Sequence, residues 1–206
     1  MKRLLLALLL VAAPALAAPH WQHDITAPDR KRLAKLWEAW TRGLGEAQTA
    51  GQGPAVAAFG PAVVADAATI NAGGALKSGQ AFPQAGDYRC RVIRLGQRAG
   101  EARAPLAAAA VTEAAAPCRI TMRRGSLWFE QGAGTQRLGG RLYADGARMV
   151  FLGSTALAGE MAILPYGADP QRDVVGALRP LATGWRLELP WPNWQSNLVV
   201  VEIVPA

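Results

Sequence analysis

Histidine is scarce in this chain: there are only two, His20 and His23, and both lie near the N-terminus. The G-x-S-x-G and H-E-x-x-H motifs of serine hydrolases and zinc peptidases are also missing. A serine or cysteine nucleophile would therefore have no well-placed base. No glycine-rich loop stands between a strand and a helix, so no nucleotide site is predicted. We expect no cofactor and no bound metal.

Long apolar runs are missing after the N-terminus, so we expect no membrane-spanning helix. At the start of the chain, Lys2-Arg3 precedes a short apolar stretch at 4–13, and Ala15-Leu16-Ala17 forms a small-x-small cleavage site. This pattern predicts a signal peptide at 1–17, cleaved after Ala17 or Ala18. The product would be an exported protein, periplasmic in a bacterium with two membranes.

Cysteine is as scarce as histidine, and Cys90 and Cys118 are the only two. Two thiols do not supply the ligand set of a structural zinc site. In an exported protein a cysteine pair favours a disulfide. Closing the long loop between them would stabilise the fold by roughly 3–4 kcal/mol.

The formal net charge is +7, and Lys2 and Arg3 belong to the segment predicted to be removed. Most of the other basic residues are single arginines that alternate with apolar residues. A nucleic-acid interface would gather them on one face with aromatic residues between them. We therefore expect no nucleic-acid partner, and a solvated basic surface. Weak attraction to anionic lipid or polysaccharide is the alternative.

Thr26-Ala27-Pro28-Asp29 has the composition of a helix start, and the helix is predicted to run to about Ala50 and stop at Gly51. Apolar residues recur on it at spacings of three and four. They are Leu33, Leu36, Trp37, Trp40 and Leu44. We expect this stripe to pack on the core of the same domain. Binding of a partner or a membrane surface is the alternative.

Residues 52–83 are rich in alanine, glycine and proline, which indicates a connector with weak helices at 55–59 and 63–70. Residues 97–116 are rich in alanine and are predicted to form a loop, with a helical turn at 106–111. The predicted organisation is a signal peptide at 1–17, a helix and connector at 18–85, and a β domain at 86–206.

From residue 86 onward, short strand-like runs alternate with turn residues. The predicted strands are Asp87–Leu95, Pro117–Arg123, Ser126–Gln131, Thr135–Tyr143, Arg148–Leu152, Val174–Leu178, Trp185–Leu189 and Leu198–Val204, with Glu160–Leu164 pairing near the fifth. We predict a mainly β fold, an antiparallel barrel of about eight short strands with the N-terminal helix packed on it. Closure would remove exposed edges. A β-sandwich is the alternative.

Strand alternation places Tyr88, Cys90 and Val92 on one face of the first strand. The same rule places Cys118, Ile120 and Met122 on one face of the second strand, and Arg119, Thr121 and Arg123 on the other. The two cysteines would thus lie on equivalent faces of strands that can be neighbours.

A family pattern runs through these strands. It is carried by Gly86-Asp87-Tyr88-Arg89-Cys90-Arg91, Cys118-Arg119-Ile120, Thr135-Gln136-Arg137, Gly140-Arg141-Leu142-Tyr143-Ala144-Asp145-Gly146, Met149-Val150-Phe151-Leu152-Gly153, the run from Tyr166 to Gly176, Trp185-Arg186-Leu187 and Leu189-Pro190-Trp191-Pro192. Together they resemble a domain-of-unknown-function family of small exported alphaproteobacterial proteins. The resemblance covers nearly the whole mature chain and implies a secreted single domain, but no activity. The fold more distantly resembles calycin-type barrels, which include exported protease inhibitors.

Three groups of residues are candidate binding sites. Tyr166, Asp169, Arg172 and Asp173 form the densest polar group, which would bind a cation or a polar ligand. The alternative is a turn in which Arg172 pairs with a neighbouring acid.

The forked donors of Arg137 and Arg141, together with Gln136, would hold a carboxylate or phosphate. Arginines on the outer face of a strand are the alternative. Trp191 and Trp194, near Trp185, would stack on a sugar or a peptide if they are exposed, or would fill one end of the barrel if they are buried. Pro190 and Pro192 would fix Trp191 in either case.

These observations favour a non-enzymatic periplasmic barrel that binds a small ligand, a glycan fragment or a protein. One alternative is a structural envelope protein that docks through its tryptophan-bearing helix. Another is a hydrolase of an envelope component that uses two carboxylates at a fixed separation. Its candidate acids would be Glu130, Asp145, Glu160, Asp169, Asp173 and Glu188. An open cavity lined by polar and aromatic side chains would favour ligand binding. Two carboxylates that converge in a cleft would favour an enzyme, and a filled barrel with an exposed apolar patch would favour docking.

Overall fold

A computed structural model describes residues 21–52, 82–97, 109–181, 183–194 and 196–206. The predicted signal peptide and the predicted helices at 55–59 and 63–70 lie outside the described residues. The division of the chain at residue 86 stays a prediction.

In the described stretch 21–52 the chain forms three helices: α1 (Trp21–Asp24), α2 (Ala27–Ala34) and α3 (Leu36–Thr49). Thr26 caps α2 as predicted, because its hydroxyl accepts a hydrogen bond of 3.3 Å from the Asp29 N–H. The prediction of one continuous helix is wrong. Lys35 adopts φ −97° and ψ 21°, outside the helical region, and the chain changes direction there.

The predicted stop at Gly51 is confirmed. Gly51 has a positive φ of 75°, and the Gln52 N–H donates to the Ala47 carbonyl over 3.0 Å. This is the Schellman arrangement, in which a glycine just past the helix satisfies its last carbonyls.

The described residues from 82 onward form nine antiparallel strands. They are β1 (Gly86–Leu95), β2 (Ala110–Thr112), β3 (Ala116–Arg123), β4 (Ser126–Gln131), β5 (Gln136–Asp145), β6 (Arg148–Leu157), β7 (Asp173–Pro180), β8 (Trp185–Pro190) and β9 (Leu198–Pro205). Strands β3 to β9 pair in chain order, β1 pairs with β3, and β9 pairs with β1. Eight strands therefore close a barrel, which confirms the predicted fold class.

Strand β2 extends β3 along the edge of β1. Ile93 lies opposite Thr112, whereas Tyr88 lies opposite Cys118, so one extra residue is inserted between the two pairings. This offset is a β-bulge in the strand that faces β1. The prediction of a loop over 97–116 is therefore wrong at 110–112, which form a strand and no helical turn.

The interior of the barrel is filled by apolar side chains from all eight closing strands. The buried set is Tyr88, Cys90, Val92, Cys118, Ile120, Phe129, Leu138, Leu142, Met149, Phe151, Val174, Leu178, Leu187, Leu189, Val199, Val201 and Ile203. Phe129 and Phe151 meet edge to face across the centre, with ring centroids 6.2 Å apart. The interior therefore differs from that of a barrel that encloses a ligand.

The predicted disulfide is confirmed. Cys90 and Cys118 are bonded in the interior, with their Cα atoms 5.8 Å apart. Cys118 lies opposite Tyr88 and Cys90 opposite Ala116, so the bond joins diagonal neighbours on β1 and β3. Both sulfurs face the same side of adjacent strands, as alternation predicted.

The helices cover part of the outer wall of the barrel. Leu33, Leu36 and Trp40 form a second core with outward-facing residues of the strands, including Ile93 and Val200. Trp37 is 52% exposed, so its predicted place on the buried stripe is wrong. The predicted pairing of Glu160–Leu164 is also wrong, because 158–172 form turns and irregular chain between β6 and β7.

Candidate functional site at the barrel mouth

One end of the barrel differs from the filled middle, and we call it the mouth. It lies where β1 and β4 end and where β5 and β7 begin. Four inward positions there carry polar side chains: Arg94, Gln131, Gln136 and Thr155. Strand alternation explains their direction, because Arg94 shares a face with Cys90 and Val92.

Arg94 is the central group of the mouth, with its side chain only 14% exposed. Its guanidinium forms an ion pair with Glu113 at the β-bulge, and its Nη2 lies 3.4 Å from the Gln136 Oε1. Its Nε is buried and has no hydrogen-bond partner among the described residues. A buried donor without a partner is costly, so this N–H marks a position that a ligand oxygen or a water would improve.

Gln131 is buried in the mouth, which Arg94 also lines, and it joins β4 to β5. Its Oε1 accepts a hydrogen bond of 2.9 Å from the Leu138 N–H. This bond ties the end of β4 to the start of β5 beyond the last ladder pair, Glu130 with Gly139. The polar end of the interior is therefore held rigidly.

The rim of the mouth is built around Arg172, from the segment before β7. Its two terminal nitrogens donate to Glu160 over 2.8 and 2.9 Å, in the bidentate geometry that suits a carboxylate. The guanidinium stands 5.6 Å from the centre of the Trp194 ring. A hydrogen bond from the Leu157 N–H, together with Arg172, lowers the pKa of Glu160. Glu160 is therefore ionised at neutral pH.

Asn193 closes the rim from the other side. Its amide nitrogen donates to the carbonyls of Pro170 and Gln171, each over 2.9 Å. Between rim and core lies a cavity of about 30 Å³. That volume holds one water or one small polar group, and a whole ligand does not fit.

A second polar cluster lies between α2 and the barrel. Asp29 is buried, forms an ion pair with Arg32 and accepts a 2.5 Å hydrogen bond from the Tyr166 hydroxyl. The Tyr166 oxygen in turn accepts from the Thr26 N–H over 3.0 Å. Burial and the hydrogen bond to Asp29 raise the pKa of Tyr166 to about 12. The cluster therefore fastens α2 to the barrel.

Asp173 belongs to the same cluster and is only 2% exposed. It accepts a 3.0 Å hydrogen bond from the Gly167 N–H, and its carbonyl accepts from Arg32 over 3.0 Å. Loss of water around the carboxyl raises the pKa of Asp173. Tyr166 and Asp173 therefore serve the packing of α2, while Arg172 faces the mouth.

The structure brings together only some of the predicted site residues. Gln136, Arg172 and Trp194 meet at the mouth. Arg137 donates to the Glu160 carbonyl, and Asp169 lies 3.8 Å from Arg172 and accepts from the Gln171 N–H. These two residues support the rim.

The remaining predicted residues lie elsewhere. Arg141 is on the outer wall, 4.4 Å from the centre of the Tyr143 ring. Trp191 donates to the Lys35 carbonyl over 3.2 Å, beside α3. Trp185 stacks edge to face on Tyr88, which places it at the opposite end of the barrel from Trp194. The three tryptophans therefore do not form one cluster.

The six acids considered for catalysis each have a structural partner. Glu130 pairs with Arg123, Asp145 with Arg148, Glu160 and Asp169 with Arg172, Asp173 with the Gly167 N–H, and Glu188 with Arg179 and Arg186. Glu188 is 2% exposed and lies between two arginines, one of which, Arg186, stands 5.3 Å from the Trp40 ring. Glu188 therefore helps to fix α3 on β8.

Arg94, Gln131 and Thr155 were missed by the sequence reasoning. For Arg94 a signal was present, because alternation from Cys90 and Val92 already pointed it inward. Its partners come from strands far away in sequence, and only barrel closure brings them together.

Fold and site define a class of protein: a closed eight-stranded antiparallel barrel with a filled interior, helices on its outer wall and a polar mouth. A family model described as a domain of unknown function (DUF4893) matches residues 21–203, and the chain belongs to that family. No curated protein and no solved structure matches the chain.

Two further findings concern metal binding and membrane crossing in the ranges that the structure describes. Among those residues no three histidine, cysteine, aspartate or glutamate side chains gather in a way that would hold a metal ion. No helix there has the length and apolar character needed to cross a membrane.

Proposed function

We propose that this protein is an exported, periplasmic and non-enzymatic barrel that binds a carboxylate of a larger molecule at its mouth. The observation that carries the proposal is Arg94, which lines the cavity and whose buried Nε lacks a partner among the described residues. A carboxylate oxygen is a strong acceptor for such a donor, because the hydrogen bond is charge-assisted on both sides.

The size of the cavity sets how the ligand enters. About 30 Å³ admits one oxygen or one small group, while the filled interior below it admits nothing larger. The rest of the ligand would lie across the rim, beside the Trp194 ring. An extended protein segment or an acidic glycan fragment has this shape, since either presents a carboxylate on a larger body.

Two features support the exported location. The first is the signal-peptide pattern of the sequence at 1–17. The second is the buried Cys90–Cys118 disulfide, because such bonds form and persist in oxidising compartments.

The test is an NMR titration of the ¹⁵N-labelled protein that begins at residue 18. N-acetylglycine and glucuronate, both ionised at neutral pH, would be compared with N-acetylglycinamide, which lacks the charge. We expect both carboxylates, or one of them, to shift the backbone amides of Gln131, Gln136 and Thr155. A response to N-acetylglycine alone indicates a peptide ligand, and a response to glucuronate alone indicates a glycan.

The matched variants are Arg94→Gln and Arg89→Gln, which remove the same charge from opposite faces of β1. Arg89 is exposed and donates to the Ala115 carbonyl on the outer wall. We expect Arg94→Gln to abolish the shifts and Arg89→Gln to leave them unchanged. The proposal would be overturned if N-acetylglycinamide caused the same shifts as the carboxylates. It would also be overturned if the carboxylates caused the same shifts in Arg94→Gln as in the wild type.

A further inference from the structure

The outer wall of the barrel carries a basic groove at the β3–β4 hairpin, far from the mouth. We call it the arginine groove, and its volume is about 430 Å³. It is lined by Arg123, Arg124, Ser126, Trp128 and Arg141. Helices α2 and α3 pack on β1, β7, β8 and β9, whereas Asp24 of α1 reaches the edge of the groove at Arg141.

The groove holds more positive than negative charge. Arg123 pairs with Glu130 over 2.6 Å, and Arg141 lies 3.8 Å from Asp24. Arg124 forms no hydrogen bond or ion pair with the residues that the structure describes. The Nε of Arg141 is buried and likewise lacks a hydrogen-bond partner in the described part of the chain. The groove therefore retains donors for an anion.

Apolar side chains reach the tip of the same hairpin on its inner face, because Met122 and Leu127 alternate with the outward-facing Arg123 and Trp128. Met122 is 59% exposed and lies opposite the half-buried Leu127. Trp128 is also half-buried, with the Arg123 guanidinium 5.4 Å from the centre of its ring. The tip of the hairpin therefore combines arginines and an indole on its outer face with an exposed methionine on its inner face, and residues of these types favour a membrane interface.

We propose that the arginine groove and the tip of the β3–β4 hairpin dock on an anionic phospholipid surface. The groove takes the phosphate of a headgroup, because guanidinium groups match phosphate oxygens. Met122, at the end of the barrel, enters the boundary between headgroups and acyl chains, while Leu127 stays packed against the barrel core. A soluble anion would account for the arginines alone, whereas a lipid surface accounts for the exposed apolar tip as well.

Vesicle sedimentation tests this proposal with the chain that begins at residue 18. The vesicles would be pure phosphatidylcholine, or phosphatidylcholine with three parts in ten phosphatidylglycerol. We expect binding only to the anionic vesicles, and weaker binding at high salt because screening shortens the reach of the charges. Arg124→Gln should weaken partitioning about five-fold, the usual effect of one basic residue at such a surface.

Lys31→Gln is the matched control, because Lys31 is exposed on α2, does not line the groove and carries the same charge. It should leave partitioning unchanged. Met122→Ser should weaken binding without changing the salt dependence. All these exposed positions tolerate substitution, and a thermal melt checks that each variant is folded.

Three results would overturn the proposal. The first is equal sedimentation with both vesicle types, or with neither. The second is an equal loss in Lys31→Gln and Arg124→Gln, which would indicate a general effect of net charge. The third is that soluble glycerol phosphate binds as tightly as the vesicles do, with no effect of Met122→Ser. The groove would then be a site for a soluble phosphate.

Discussion

Gly43 of α3 lies directly against Leu95 of β1. A Cβ atom placed on Gly43 would stand 3.0 Å from the Leu95 Cβ, which is closer than side chains normally approach. Two residues further along the same helix, a Cβ atom placed on Gly45 would meet no atom within 4 Å. The helix therefore uses one glycine to approach the barrel and leaves the other free of contacts.

This pair of glycines gives the first prediction. Gly43→Ala should lower the free energy of unfolding by about 1–3 kcal/mol, because α3 must move away from β1. Gly45→Ala should raise it by up to about 1 kcal/mol, because alanine favours the helix. Urea denaturation of both variants checks this. A stabilised Gly43→Ala would show that the close packing of α3 is wrong.

The hydrogen bond from Tyr166 to Asp29 gives the second prediction. Tyr166→Phe removes this bond and the acceptor of the Thr26 N–H, and should cost about 1–3 kcal/mol of stability. Tyr88→Phe is the control, since the Tyr88 hydroxyl donates to the Gln84 carbonyl, away from the helices. A loss in Tyr166→Phe no larger than that in Tyr88→Phe would contradict the role of this cluster.

The same tyrosine should make the stability of the folded protein depend on pH in the alkaline range. The folded protein raises the pKa of Tyr166 to about 12, and an unfolded tyrosine titrates near pH 10. The folded state thus favours the protonated hydroxyl. The contribution of Tyr166 is fully present below about pH 10 and is lost as the pH rises toward 12. Wild type should therefore lose more stability over this interval than Tyr166→Phe, as measured by thermal melts.

Asp173 gives a prediction of its own at acid pH. Burial raises the pKa of its carboxyl, so its contribution to stability is largest below the unfolded pKa, near 4, and falls as the pH rises through the folded value. Asp173→Asn keeps an oxygen for the Gly167 N–H but cannot ionise. The stability of this variant relative to wild type should rise between pH 3.5 and pH 7. A difference that stays constant with pH would contradict the account.

The disulfide gives a prediction that needs no ligand. The mass of the non-reduced protein should be two hydrogens lower than that of the reduced chain, and no thiol should react with an alkylating reagent. Replacing both cysteines by alanine should cost roughly 3–4 kcal/mol, the loop-closure entropy for a sequence separation of 28 residues. Two free thiols in the native protein would contradict the bond between β1 and β3.

Much of the barrel followed from local pattern. Alternation predicted the strands and the shared face of Cys90 and Cys118. The β5–β6 turn is formed by Asp145-Gly146, a favourable two-residue turn sequence, and Gly146 has a φ of 62°. The break at Lys35 could not be predicted in this way, because α2 and α3 keep one helical pattern. Their packing differs, since α2 contacts β7 and β8 whereas α3 contacts β1, β8 and β9. Strand β2 was missed because its alanine-rich sequence pairs only where β1 offers a free edge.

The candidate site was harder to predict than the fold. Gln136, Arg172 and Trp194 were named from three separate groups, and the structure unites them at the mouth. Arg141 and Trp191 were named for their chemistry, yet they lie on other surfaces. Residues that meet through barrel closure come from strands distant in sequence, and no local spacing encodes that proximity.

The most direct measurement follows the Nε–Hε signal of the Arg94 side chain itself. In the ¹⁵N spectrum of the protein, this signal is assigned by its loss in Arg94→Lys. Titration with N-acetylglycine or glucuronate should move the Arg94 signal to a saturating new position, while the Arg89 signal stays in place. If the Arg94 signal does not move with either carboxylate, or moves equally with N-acetylglycinamide, the mouth is not a carboxylate site.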